Sequence, residues 1–188
     1  MVLYAGFLFL KTPAEPLSAG DAPFVPEAAN QPIGAARGVN PGRVVWVHDP
    51  GAVLYDGAGN WWDEGNIVQA AVDGMMEDAI LNLAGTDNLT DAWDAIIRNF
   101  NREYGRGDVG YQPGEKIAIK LNMNKSVSIE WNSKMTHPVV SPQSANALVK
   151  QLIEVLGVAG TDITLYDASR CVGKPVVDAI RANEGQDY

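Results

Sequence analysis

Three short runs rich in β-branched residues, separated by longer helical patterns, constrain the fold of this 188-residue chain more than any other feature. The runs are RVVWVHD, KIAIKLNMN and DITLYDAS, at residues 43–49, 116–124 and 162–169. Strands that alternate with helices of ten or more residues are typical of βαβ units in a parallel sheet. Each run is apolar and becomes polar at its end, as expected when helices cover both faces of a sheet. The sequence therefore predicts an α/β fold in three layers with a mostly parallel sheet.

Four further segments have apolar residues at the three- and four-residue spacing of helices. In chain order they span residues 66–84, 90–104, 142–156 and 174–183. Thr90 and Ser141 are suitable N-caps, Pro142 fits a first helical turn, and Gly85 and Gly157 are helix stops. Three strands are few for an open sheet, so we expect the sheet to be incomplete at its C-terminus, completed by a missing part or a partner.

The first 33 residues differ in composition from the rest of the chain. Residues 1–10 (MVLYAGFLFL) are apolar, too short to span a membrane and similar to the apolar region of a signal peptide. Residues 11–33 contain five prolines and predict an extended spacer. We therefore expect a leader remnant with its spacer over residues 1–33 and an α/β domain over residues 34–188. This division predicts an extracytoplasmic location; the alternative is a cytoplasmic protein with a short buried or frayed N-terminal segment.

Composition excludes several classes of function. The net charge is −9 and the isoelectric point about 4.6, which argues against binding to nucleic acid or to an anionic membrane surface. No apolar run reaches the roughly 18 residues that a membrane-spanning helix needs. The single cysteine excludes a disulfide scaffold, a thiolate zinc site and a self-contained iron–sulfur cluster. The sequence does not identify a cofactor.

Polar residues stand where each predicted strand ends, and open parallel sheets bind their ligands outside the carboxyl ends of the strands. In chain order these residues are His48, Lys120, Asn122, Asn124, Asp167, Ser169 and Arg170. The two-residue period of a strand puts Lys120, Asn122 and Asn124 on one face. The structural alternative is that these strand ends are polar only because they leave the core.

A small anionic ligand is the partner that these residues predict. Lys120 and Arg170 would bind the negative charge, Asn122 and Asn124 would orient the ligand, and Ser169 would add a hydroxyl. The helix that begins at Ser141 would direct its N–H groups and the positive end of its dipole to the same edge. Lys125 and Lys134 add positive charge nearby, and residues 116–188 carry a net charge of +1 against −10 over residues 1–115.

Conversion of the ligand would need a group that moves a proton. His48 and Asp167 are the candidates, so we assign them as catalytic residues if the protein is an enzyme, which the sequence leaves open. A non-catalytic extracytoplasmic binding domain, tethered by residues 1–33, is the alternative.

Other motifs carry little functional information. GRGDVG at residues 105–110 follows a helix and precedes a strand, the reverse of a dinucleotide-binding motif, so it predicts a loop. His48 and His137 lack the i, i+4 spacing of a helical metal site, and we predict no metal site. Cys171 is either a small buried thiol or a thiol activated by the neighbouring Arg170 and Lys174. Trp61 and its neighbouring Trp62 either line the ligand cleft or cover the core.

Four stretches of the sequence resemble a known family when taken together. They are NQPIGAARGVNPGRVVWVHDP, GNWWDEGN, GEKIAIKLNMN and SPQSANALVKQLIEVLGVAGTDITLYDASR, within roughly residues 30–175. Their K-x-N and D-x-S-R strand ends are similar to those of the family called domain of unknown function 362. Members usually have Lys-Pro-Asn at the first of these ends, where this chain has Lys120-Leu121-Asn122.

The resemblance implies the α/β fold, export and an association with iron–sulfur proteins, but no particular reaction. Members that hold a cluster have cysteine-rich segments, which this chain lacks, and members are longer. The resemblance therefore implies a truncated member of the family. It also adds an alternative function: an accessory module of an iron–sulfur redox system, with the cluster supplied by a missing segment or by a redox partner.

Overall fold

The computed structural model describes residues 27–29, 31, 33–124, 126–131 and 139–182. By its internal contacts the chain divides into two units, Met1–Ala35 and Ala36–Tyr188. The described residues of the first unit are exposed and lack helix or strand. The predicted leader at residues 1–10 lies outside the described residues, as do Lys125, Lys134 and His137.

The second unit contains four α-helices, two strands and two short 3-10 helices among its described residues. The helices are α1 Gln69–Ala84, α2 Leu89–Glu103, α3 Pro142–Glu154 and α4 Lys174–Arg181, the strands are β1 Ile117–Lys120 and β2 Ile163–Tyr166, and the 3-10 helices are Pro50–Ala52 and Gly160–Asp162. None of the helices in the described part of the chain combines the length and apolarity that a membrane crossing requires.

The two strands form a parallel pair joined by α3, which confirms the predicted mixed α/β character and the βαβ connection. Ile117 pairs with Ile163, and Lys120 pairs with Tyr166. Exposure alternates along both strands, since the isoleucine and leucine positions turn inward while Lys120 and Tyr166 turn outward. This two-residue period fixes which side chains of the following loops face solvent.

Helix α3 lies at the centre of the packing. Its Ala145 and Val149 pack with Leu121, Met123 and Val176 in a buried cluster shared by the end of β1 and by α4. Further along α3, Leu152 joins a second cluster with Trp93 of α2 and Val158. The segment that follows β1 is therefore anchored to the core by Leu121 and Met123, which are 4% and 0% exposed.

The start of α3 is as the sequence predicts. Ser141 is the N-cap, its hydroxyl accepts a hydrogen bond from the Ser144 N–H at 3.0 Å, and Pro142 occupies the first turn. Gly85 ends α1 in the left-handed conformation, with φ of 75°, which glycine adopts without the steric cost of a Cβ. The prediction for α2 is wrong by two residues, because Asn88 and not Thr90 accepts the capping bond, from the Asp91 N–H.

The predicted first strand, residues 43–49, is not part of the sheet in the described residues. The sheet contains β1 and β2, and residues 43–49 are extended without a strand partner. Local β-propensity produces the extended backbone, but a strand exists only when a neighbour pairs with it. The outward face of the sheet, with Ala118, Thr164 and Tyr166, is exposed. The three-layer arrangement therefore stays a prediction.

Candidate functional site

The loops that follow β1 and β2 are joined by main-chain hydrogen bonds. The Leu121 N–H donates to the Tyr166 carbonyl at 2.8 Å, and the Cys171 N–H donates to the Ser126 carbonyl at 3.1 Å. Both loops leave the carboxyl ends of neighbouring parallel strands, where ligands of α/β folds bind. We call residues 121–124 together with Ser126, and residues 167–171, the strand-end loops.

Asp167 connects the two strand-end loops through its carboxylate. One oxygen accepts a hydrogen bond from the Met123 N–H at 2.9 Å. The other accepts from the Ser169 N–H at 2.8 Å and from the Arg170 N–H at 3.2 Å. Both carboxylate oxygens are therefore committed to main-chain donors.

The same contacts set the protonation state of Asp167. The main-chain donors, Met123 first and Ser169 next, lower the pKa of the Asp167 carboxyl below its ordinary value, and the positive charge of Lys120 acts in the same direction. A carboxylate with a lowered pKa is a weak base at neutral pH. The geometry thus supports Asp167 as a residue that positions the loops and gives no support to its predicted role in proton transfer.

Lys120, Asn122 and Asn124 are exposed, alternating with the buried Leu121 and Met123, as the strand period predicts. The Lys120 ammonium donates to the side-chain oxygen of Asn122. The alternation extends past the last residue of β1, so the three polar side chains share the outward side of the first strand-end loop.

Arg170 links the second strand-end loop to the first. Its Nε donates to the main-chain carbonyl of Asn124 at 3.3 Å, and its Nη1 donates to the Ser169 carbonyl at 3.0 Å. Within the ranges that the structure describes, neither Lys120 nor Arg170 has a carboxylate oxygen within ion-pair distance. Among the described residues, therefore, no direct ion pair neutralises the positive charge of Lys120 or of Arg170.

A concavity of about 350 Å³ opens between the strand-end loops. Its lining residues are Ser126, Val127, Asp167, Ala168, Ser169, Arg170 and Cys171. Of the predicted ligand-binding residues, Ser169 and Arg170 line the concavity, whereas Lys120, Asn122 and Asn124 are not among its lining residues. Cys171 is exposed, so the predicted alternative of a buried thiol is wrong.

Ser141 serves as a helix cap and does not line this concavity. Its hydroxyl is occupied by the Ser144 N–H and lies 2.8 Å from the Ser144 hydroxyl. The following residues, Pro142 and Gln143, are buried, and the Gln143 amide nitrogen donates to the Trp62 carbonyl at 3.1 Å. The first turn of α3 is therefore packed against protein, and the structure gives no support for ligand binding by Ser141.

His48 lies apart from the strand-end loops because its segment is not a strand of the sheet. It is exposed and stacks on Trp46 with ring centroids 5.5 Å apart. Together with Asp49 it lines a second concavity, against Gly74 and Asp78 of α1. The expected convergence of His48 with Asp167 therefore does not occur at the concavity that Asp167 lines.

Sequence reasoning missed a buried group that supports the strand-end loops. Ser126 is fully buried, and its hydroxyl accepts a hydrogen bond from the Trp131 indole N–H at 2.9 Å. Trp131 also packs edge-on against Trp62, with ring centroids 5.2 Å apart, and Trp62 is buried. For Trp62 the alternative of covering the core is therefore confirmed. A serine between a lysine and a valine gives no sequence signal for such a role.

One further motif prediction, the loop at residues 105–110, is confirmed. Residues 105–110 form a loop between α2 and β1, as the reversed order of elements predicts. No cluster of three or more histidine, cysteine, aspartate or glutamate side chains that could hold a metal occurs in the part of the chain that the structure describes.

The chain matches no protein-family model, no curated protein and no solved structure at a significant level. The candidate site therefore depends on the geometry of its own residues.

Proposed function

We propose that this protein binds a small anionic ligand, a carboxylate or a phosphate, at the concavity between the strand-end loops. The observation that carries the proposal is Arg170, which lines the concavity and has no ion-pair partner in the described residues. Lys120 at the end of β1 also has no ion-pair partner there, but it is not among the lining residues. A cation without a carboxylate partner gains most from an added anion, because the anion supplies charge-assisted hydrogen bonds.

The charge balance limits the ligand to a small one with low charge. Asp167 is ionised beside the two cations, so the three groups together carry one excess positive charge. A concavity of about 350 Å³ is at the lower end of the volumes of small-molecule sites. The low excess charge and the small volume both favour a compact carboxylate or phosphate over a polyanion.

The proposed activity is binding, with no proton-transfer step assigned. Asp167 is a weak base whose oxygens are occupied, and His48 lines a different concavity. The proposed roles are therefore charge recognition by Lys120 and Arg170, orientation by Asn122 and Asn124, and a hydroxyl from Ser169.

The wider predictions belong to the same proposal. We infer that the chain is a relative of the domain of unknown function 362 family and is exported, on the basis of the sequence resemblance alone. A third layer over the exposed Ala118, Thr164 and Tyr166 is supported by the rarity of parallel strands with one open face.

Thermal unfolding in the presence of inorganic phosphate tests the proposal. At constant ionic strength, phosphate should raise the unfolding temperature of the wild-type protein relative to chloride, because a ligand that binds only the folded state stabilises it. Arg170→Gln should lose the response, whereas the matched control Arg181→Gln, which removes an exposed cation at the end of α4, should keep it. Equal responses in the two variants would overturn the proposal. Repeating the titration with succinate separates carboxylate from phosphate recognition.

A further inference from the structure

The segment at residues 43–49 is extended, and main-chain hydrogen bonds to other described residues occur only at its two ends, where the Arg43 N–H donates to the Asn40 carbonyl and the Asp49 carbonyl accepts from the Ala52 N–H. From Val44 to His48, no main-chain N–H or carbonyl is hydrogen-bonded to another described residue. Five successive residues with unpaired main-chain groups, four of them of high β-propensity, form a template for the addition of a strand.

One side of this segment is covered and the other is open. Val47 and Asp49 are half-buried and line the concavity against α1. Val44 and Trp46 are 91% and 75% exposed, and His48 stacks on the indole of Trp46. An exposed tryptophan flanked by exposed apolar surface is typical of the centre of a protein interface.

The sequence of the segment complements itself. In an antiparallel pair of two such segments centred on Trp46, each Trp46 lies opposite its copy and each Val44 lies opposite a His48. The same register places Arg43 opposite Asp49 at both ends, so that opposite charges meet twice. Cross-strand pairs of opposite charge and of aromatic residues are stabilising, and a two-fold axis makes a closed dimer.

We propose that two copies of this chain associate by antiparallel pairing of residues 43–49 about a two-fold axis at Trp46. The pairing would satisfy the main-chain groups on one edge of the segment, those of alternate residues, and would bury Val44 and Trp46 of both copies. The proposal depends on none of the residues of the strand-end loops, so it stands or fails independently of anion binding.

Charge reversal tests the register. Sedimentation velocity on the full chain should show a concentration-dependent dimer for the wild type. Arg43→Asp and Asp49→Arg should each weaken dimerisation by about tenfold or more, because each places like charges opposite one another twice per dimer. The double variant should recover dimerisation. Arg181→Asp is the control for net charge and should dimerise as the wild type does.

Recovery in the double variant is informative because the intrachain contacts do not recover. Arg43 donates to the Asn82 carbonyl, and Asp49 accepts from the Gly51 N–H. Both contacts are lost in the double variant, so restored dimerisation can come only from the pair across the interface. A wild-type protein that is monomeric at all concentrations, or a double variant no better than either single one, would overturn the proposal.

Cross-linking measures the register directly. In a Cys171→Ser background, Trp46→Cys should form an intersubunit disulfide on mild oxidation, because facing Cα atoms lie about 5 Å apart. Val44→Cys should not, since its two copies would lie about 13 Å apart along the strands. Equal cross-linking of both variants, or cross-linking of Val44→Cys alone, would contradict pairing about Trp46. Binding of this segment to a different protein, in place of a second copy of the chain, would contradict it as well.

Discussion

The carboxylate of Asp167 accepts a hydrogen bond from the main-chain N–H of Met123, which precedes it by 44 residues, at 2.9 Å. This bond joins the loop after β1 to the loop after β2. It also leaves Asp167 ionised, because main-chain donors favour the charged form. The proposed anion site is thus held in shape by a carboxylate that does not itself bind the ligand.

Asp167→Asn should lower the urea midpoint of unfolding. Asparagine keeps one acceptor oxygen, but its NH₂ group replaces the other, so at least one main-chain N–H now faces a donor. The matched control is Asp178→Asn, which removes an exposed carboxylate that pairs with Lys174 on α4. We expect a much smaller fall in the control, since exposed i, i+4 ion pairs contribute little. Equal midpoints for the two variants would contradict the clamping role of Asp167.

The contribution of Asp167 should depend on pH with a defined sign. Its folded-state pKa is lowered from the ordinary value of 3.8, so the stability it supplies is present above that value and is lost as the pH falls through the folded-state pKa. The difference in urea midpoint between the wild type and Asp167→Asn should therefore be constant above roughly pH 5 and shrink in more acidic solution. A difference that grows on acidification would show that the carboxyl is not ionised in the native state.

Gly173→Ala should destabilise the fold. An added Cβ would lie 2.1 Å from the indole nitrogen of Trp131, which is held by Ser126 and by packing against Trp62. We expect a loss of about 1–3 kcal/mol in the free energy of unfolding, as for other overpacked sites. Gly74→Ala is the control, because a Cβ on Gly74 in α1 meets nothing within 4 Å and helix propensity should make this variant as stable or more stable. Chemical denaturation measures the free energy of unfolding of both variants. Equal values for Gly173→Ala and Gly74→Ala would contradict the fixed position of Trp131.

Ser141→Ala should cost about 1 kcal/mol of stability, as the loss of an N-cap does, and should leave the response to phosphate intact. Ser141→Asp should restore most of the stability because aspartate also caps helices. Loss of the phosphate response in Ser141→Ala with a stability equal to that of the wild type would return Ser141 to the ligand site. Urea denaturation and thermal unfolding with phosphate measure the two properties separately.

Much of the fold follows from local pattern. The spacing of apolar residues located all four helices, Ser141 and Pro142 marked the start of α3, and the alternation around Lys120 fixed its exposed side. These features depend on residues near one another in the chain. The prediction of a sheet strand at residues 43–49 is wrong because a strand needs a partner, which the local sequence does not determine.

The site was predictable in part for the same reason. The sequence pattern was sufficient to predict that β1 and β2 pair in parallel, so that both strands end at the same edge of the sheet. It could not show that the carboxylate of Asp167 is occupied by the Met123 N–H, nor that Ser126 is buried under Trp131. Both contacts join segments whose approach is decided by packing.

The most direct test of anion binding is an NMR titration of the ¹⁵N-labelled wild-type protein with inorganic phosphate at constant ionic strength. We expect saturable shifts of the amide signals of residues 121–124, 126 and 167–171, with the signals of α2 unchanged, and loss of these shifts in a Lys120→Gln, Arg170→Gln double variant. Shifts spread evenly over the protein, shifts centred on another segment, or shifts that persist in the double variant would contradict the proposed anion binding.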